Sequence, residues 1–276
     1  MPQTLTQIKA LLDAAGLRPK KRYGQNFLHD ANQMDRIVAA ARLEPGQVVL
    51  EVGPGTGALS ERLLEAGVRL IAVEVDRGFE PILRKRLVDR FGNNVRLLFT
   101  DVLADKHRVA PRVIETVRGF DAERFSLVAN LPYNIASPLL VNLAVEHREM
   151  ALGVVMLQRD VADRLTAEPG GAEYGPLGIM VGAMFAVRRI GTVAPSCFWP
   201  RPKVQSAVLR LERRSRPLTD DADALRRLVH RLFTQRRKQL GTIIGRDQPL
   251  PRGIGPQMRP QQLSIRQLVS LAKAVG

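Results

Sequence analysis

Apolar residues fall in short unbroken blocks over the first two hundred or so positions of the chain and in helical steps over the last sixty. The blocks Val48 to Val52, Arg69 to Asp76, Val95 to Phe99, Phe125 to Ala129 and Met150 to Leu157 each have strand length, and the first four run into Gly53, Asp76, Thr100-Asp101 and Asn130. Runs of this kind, apolar on successive positions, predict strands buried on both faces, as in a parallel sheet covered by helices. Residues 5–15, Asn32 to Ala41, 158–165 and 177–185 predict helices, and further strands fall near 186–193 and 204–211, the last alternating through Val204, Ser206, Val208 and Arg210. Between them, residues 169–176 predict an exposed Gly/Pro loop. From about Ser215 the period changes: Thr219-Asp220-Asp221 starts a helix whose Leu225, Leu228, Val229, Leu232 and Phe233 share one face, leaving Arg226, Arg227 and Arg231 outside. Residues 245–260 predict a loop, and Ser264 with Gln267 predicts a capping box for a final helix. The expectation is an α/β domain over 1–214, including a basic N-terminal arm over 1–28 that is irregular from residue 16 to residue 30, and a small all-helical domain over 215–276.

Charge adds a partner to this outline. The net charge is +15, unevenly spread: residues 1–28 carry five Lys/Arg against one acid, residues 29–187 carry 18 against 21, and residues 188–276 carry 19 against five, giving +4, −3 and +14. A near-neutral body with basic ends predicts a polyanion partner, held by Lys20, Lys21 and Arg22 on the arm and by Arg226, Arg227, Arg231, Arg236, Arg237 and Lys238 near the end. The basic helix lacks Trp, which disfavours a membrane surface. No apolar run reaches spanning length and no signal peptide is evident, so the expected compartment is the cytoplasm. Cys197 is the single cysteine, and the four histidines lack metal-ligand spacing, so no metal site is expected.

The chemistry gathers at the ends of the predicted strands. The first runs into Gly53-Pro54-Gly55-Thr56-Gly57, a G-x-G-x-G turn that lets backbone approach a ligand at the carboxyl end of the first strand of an open sheet. About 20 residues on, Glu74 is placed to accept from ribose hydroxyls, and Asp101, after the third strand, is placed to accept from a cofactor adenine. The fourth strand stops at Asn130-Leu131-Pro132-Tyr133. Pro132 fixes its own φ and pushes Leu131 out of helix, so acceptors around Asn130 and Leu131 can face outward beside the flat face of Tyr133. Such a turn suits a planar amine such as N6 of adenine.

With these blocks the chain resembles the small-subunit ribosomal RNA adenine N6,N6-dimethyltransferase family. The similarity runs through Gly24-Gln25-Asn26-Phe27-Leu28, Glu51 to Gly57, Asn130 to Asn134, Met156 to Arg159, Phe198 to Ser206, Phe233 to Lys238 and the segment from Arg259 to Ala274. The resemblance implies a Rossmann-like S-adenosylmethionine-dependent methyltransferase sheet and cofactor contacts from Asn26, Leu28, Gly53, Gly55, Glu74, Asp101 and Asn130. It further implies that the Asn130 to Tyr133 turn holds the target amine, that Tyr133 and Phe198 sandwich the adenine, and that the partner is small-subunit RNA or an immature small subunit, met by a monomer. Gln205 and Arg201 stand where members often have Asp and Pro. Two other readings stay open: a large-subunit adenine methyltransferase of the macrolide-resistance type, and an assembly or nucleic-acid-binding factor without turnover.

Overall fold

The computed structural model describes residues 3–120, 122–246 and 248–275; residues 1 and 2 of the predicted arm, residue 247 of the predicted loop and the last residue of the helical segment lie outside them. Seven strands form the central sheet: β1 Val48–Val52, β2 Arg69–Glu74, β3 Val95–Phe99, β4 Phe125–Asn130, β5 Met150–Gln158, β6 Phe185–Val193 and β7 Ser206–Arg213. Their order is β3-β2-β1-β4-β5-β7-β6. The first five run parallel, and β7 enters antiparallel between β5 and β6.

Successive side chains of a strand point to opposite faces, so each central strand feeds two cores. Val48, Leu50 and Val52 join one apolar cluster with Ile71, Val73 and Leu127. Val49, Leu70, Ala72 and Val128 join the other. That division requires apolar residues at consecutive positions, which is why these strands read as unbroken blocks.

The second face is covered by α1 Leu5–Ala14, α2 Ala31–Ala41, α3 Ala58–Glu65 and α4, which runs from Glu80–Leu83 through a π-turn, Arg84–Val88, to Asp89–Phe91. The first face carries α5 Pro111–Arg118, α6 Ala136–Glu146, α7 Arg159–Leu165 and α8 Pro176–Met184. Helix α8 is buried at every position from Leu177 to Met184. A helix apolar all round needs cover on all sides, and the C-terminal helices α9 Ala222–Phe233, α10 Leu240–Ile244 and α11 Ile265–Val275 supply it. Asp221 caps α9 through a bond from Ala224 N, and Ser264 with Gln267 starts α11 as the capping box predicts.

Two expectations change. The 169–176 loop is not exposed throughout: Tyr174 is buried, donates its hydroxyl to the Leu263 carbonyl at 2.8 Å and packs edge-on against Phe233. The arm is not merely irregular. Phe27–Leu28 pairs antiparallel with Phe198–Trp199, and Gln3 forms two bonds to Thr56 in the glycine turn, at 3.0 and 2.7 Å. The arm therefore crosses the carboxyl ends of the strands, where an open α/β sheet leaves its crevice.

Candidate active site

A cavity of about 260 Å³ opens at the carboxyl ends of β1, β2 and β4, under the arm. Gly53, Gly55, Glu74, Asp101, Asn26, Leu28 and the turn from Asn130 to Tyr133 all border it. The structure thus brings together the glycine turn, both predicted carboxylates and the Asn-Leu-Pro-Tyr turn. The glycines are required: φ is +75° at Gly53 and +56° at Gly55, and a Cβ would lie 3.1 Å from Pro132 Cγ at the first and 3.0 Å from the Phe27 ring at the second. The turn's backbone is pressed between the arm and the Asn130 turn, leaving space for a ligand and none for side chains.

Glu74 is almost completely buried. Its carboxylate accepts from Gly55 N at 3.2 Å and Asp76 N at 2.9 Å, which fixes both oxygens and leaves lone pairs for hydroxyl donors. Burial pushes its carboxyl above the usual range, against those backbone bonds. Asp101 is exposed on the cavity rim and accepts from Leu103 N at 2.9 Å. Glu51 carries no role in the sequence motifs, yet it is 1% exposed, accepts from Ser60 Oγ at 2.5 Å and is pushed up to about 8 by desolvation, with repulsion from Glu74 adding to it. Its signal is an acid inside an otherwise apolar strand. Asp76 likewise carries no predicted role: burial works to raise its carboxyl, but bonds from Lys20, Gln25 and Gly78 N outweigh burial and hold it below the usual range. No sequence signal points to the Gln3–Thr56 pair.

Asn130 donates its Nδ2 to the Asn26 carbonyl at 3.3 Å, so Oδ1 is left as the acceptor. Leu131 is buried and its N donates to the Met156 carbonyl at 2.9 Å, which ties the turn to β5. Tyr133 is half-buried, with its hydroxyl 2.8 Å from Ser206 Oγ; burial pushes its phenol up, so it stays protonated. Phe198 is not brought to this cavity. Its ring is 3% exposed and lies in the apolar cluster beneath the arm, because the pairing with Leu28 turns it inward.

The predicted cations divide. Lys20 is paired with Asp76 at 2.8 Å, and Arg22 lies over the Tyr23 ring at 4.6 Å beside the cavity. Arg226 faces Glu146 and Asp223, Arg231 donates to the Ile243 carbonyl at 2.7 Å, and Arg236 donates to the Gly171 and Ala172 carbonyls. A guanidinium on a flexible stem reaches back to carbonyls that helical spacing does not reveal. Lys21, Arg227, Arg237 and Lys238 remain exposed without an ion-pair partner among the described residues.

A parallel sheet with an antiparallel β7 near its edge, a glycine turn closed against an acidic second strand and the Asn130 to Tyr133 turn after the fourth, all on one cavity, define a Rossmann-like S-adenosylmethionine-dependent methyltransferase. The residues fit that cofactor: a cradle that any Cβ would fill, with acceptors placed for hydroxyls and an amine. The chain belongs to the ribosomal RNA adenine dimethylase family, whose model matches residues 16–275. It is 40% identical over 96% of its length, and 92% of the relative's, to the ribosomal RNA small subunit methyltransferase A of Rhodococcus opacus. The protein of the same name from Syntrophotalea carbinolica is 38% identical, covering 94% of this chain and 97% of the relative. Among solved structures, a dimethyladenosine transferase from Plasmodium falciparum superposes with a TM-score of 0.73 at 24% identity, covering 89% of this chain and 95% of that one. The 23S rRNA methyltransferase ErmE gives 0.66 at 25% identity, covering 90% and 99%.

Proposed function

We propose that this chain transfers methyl groups to N6 of two adjacent adenosines near the 3′ end of small-subunit ribosomal RNA, dimethylating each, as a step in small-subunit biogenesis. The observation that carries the reading is the meeting of the glycine turn and the Asn130 to Tyr133 turn in one cavity. The names of the relatives at 38 and 40% identity support the choice of RNA. The cytoplasm is the proposed place of action; no helix among the described residues is long and apolar enough to cross a membrane. All proposed contacts come from one chain, so a monomer suffices.

When bound, S-adenosylmethionine supplies an electrophilic methyl group; Gly53, Gly55, Glu74, Asp101 and the backbone of Asn26 and Leu28 would hold it. The rest is positioning by the chain. The N6 lone pair of adenine is delocalised into the ring, so the free amine is a weak nucleophile. Asn130 Oδ1 and the Leu131 carbonyl accept its two N–H bonds, favour a pyramidal nitrogen and fix the direction of its lone pair. The amine needs no base before attack, since its proton becomes acidic only once the nitrogen is cationic and then leaves to water. A second transfer proceeds with one N–H contact replaced by methyl. Tyr133, pinned through Ser206, offers the stacking face that replaces the base's former neighbours. Phe198 contributes a second face only if the pairing of residues 27–28 with 198–199 parts. In this reading residues 215–276 form the RNA-holding unit, with Arg227, Arg237 and Lys238, and with Lys21 of the arm, on the phosphates.

Incubation with labelled S-adenosylmethionine and separated ribosomal subunits, followed by mapping of modified adenines, tests the proposal. Label on two adjacent adenines near the 3′ end of small-subunit RNA is expected. Label confined to large-subunit RNA would transfer the chain to the class of ErmE, and binding without label would make it an assembly factor.

A further inference from the structure

A second cavity, of about 300 Å³, lies between α6, α8, α9 and the turn joining the short strands Leu103–Asp105 and Arg108–Val109. Its floor is apolar, built from Val141, Leu177, Met180 and Val229. Its rim carries Lys106, His107, Arg226 and His230, and no carboxylate lines it among the described residues. Arg226 is incompletely satisfied: Nη2 is buried without a hydrogen-bond partner, and its guanidinium stands 3.7 Å from Glu146 and 3.5 Å from Asp223. An apolar floor under a cationic rim is the complement of a nucleotide, flat and apolar at the base and anionic at the phosphate. A volume on the order of 300 Å³ is at the small end of ligand sites and suits one such unit.

The cavity continues the walls of the first. Asp101 and Val102 border the first and lead directly into Lys106 and His107; Ile135 borders the first, and Ser137, Pro138 and Val141 of the same segment border the second. From Ile135 to Val141 the rise is about 9 Å at ~1.5 Å per helical residue, and a stacked strand advances ~3.4 Å per nucleotide. The segment that borders both cavities is thus about as long as three stacked nucleotides.

We propose that the second cavity seats another nucleotide of the RNA strand that presents the target adenosine, with its base on Val141 and Met180 and its phosphate against Lys106 at the exposed edge. The inference rests on the reading of the first cavity as the adenosine site. It makes the α6 segment a ruler, setting the target in register by a neighbour held at a fixed distance.

The test uses the full chain and small ribosomal subunits, with two kinds of variant. Met180→Trp fills the floor; Lys106→Glu, at an exposed position, reverses the rim charge without entering the core. Each is expected to raise KM for subunits on the order of tenfold, as when one stacked or phosphate-held unit is given up, while kcat and S-adenosylmethionine affinity stay within about twofold. Ultraviolet crosslinking to subunits carrying 4-thiouridine is expected to label the peptide holding Lys106 and His107. Unchanged KM in Lys106→Glu, or crosslinks that avoid this peptide while wild-type transfer is normal, overturns the second site alone. Absence of transfer by the wild-type chain overturns the reading on which it rests.

Discussion

Replacing Glu51 by Gln isolates the electrostatic cost of placing an acid at the base of the cofactor cavity. The carboxyl is completely buried, and its ordinary value of 4.5 rises to about 8 in the folded chain. Between those limits the folded state holds a proton that the unfolded state has released, so wild-type stability falls as pH rises through this window and levels off above it. At ~1.4 kcal/mol per pH unit the span sets a ceiling on the order of 5 kcal/mol; relaxation around Ser60 and an effective dielectric near 20 bring the expectation to roughly 2–4 kcal/mol. Glutamine keeps the volume and can donate to Ser60 Oγ but has nothing to titrate. Denaturant unfolding of both proteins without cofactor, from about pH 5 to about pH 9, reads the difference. Near pH 5 the two should match within about 1 kcal/mol, and near pH 9 the variant should be more stable by roughly 2–4 kcal/mol. A difference that stays constant across the range would refute the reasoning, since Glu51 would then be titrating alike in both states.

Glu74→Ala should weaken S-adenosylmethionine binding by roughly 1–3 kcal/mol through removal of hydrogen bonds to a carboxylate; calorimetric affinity equal to wild type would take Glu74 out of the site. Asn130→Ala should abolish most transfer while RNA retention persists, and a variant at full speed would end the acceptor role of Oδ1. Combined replacement of Arg227, Arg237 and Lys238 by Ala should flatten the salt dependence of RNA affinity by about 0.7–0.9 in log–log slope for each phosphate left without its cation, with the same adenines modified at low salt. A slope equal to wild type would identify these three as a solvated face. Phe198→Ala should cost about 3–5 kcal/mol of stability, as expected of a core aromatic, and a change below about 1 kcal/mol by denaturant titration would mean that its ring spends little time in the cluster.

The sheet is legible in the sequence because its strands are buried on both faces, a condition that leaves an unbroken apolar block in the chain. The candidate cavity is legible because close approach of backbone demands glycine, and an acid at a strand end stands out. What stays hidden depends on contacts between distant segments. Phe198 looks the same in sequence whether its ring faces a base or a core, and only the pairing of residues 27–28 with 198–199 decides. Arg226, Arg231 and Arg236 sit at outward positions of their segments, yet their guanidinium groups turn back to carboxylates or carbonyls. Glu51 falls within the glycine-turn motif, but the proximity of Ser60 and Glu74 that gives it a perturbed proton is a tertiary fact.

The bond from Asn130 Nδ2 to the Asn26 carbonyl spans 104 residues of chain. An amide is nearly symmetric in shape and opposite in polarity at its two ends, so an unrestrained Asn130 would offer oxygen or nitrogen to a bound base with little preference. The arm removes that freedom. On the proposed reading, with Asn26 in place the base edge would meet an acceptor and an exocyclic amine would be admitted; with the arm displaced, the same side chain rotated by half a turn would welcome a carbonyl instead. If Asn130 holds the base as proposed, loss of order at the amino-terminal end would first relax which base is chosen, before any residue of the turn itself is altered.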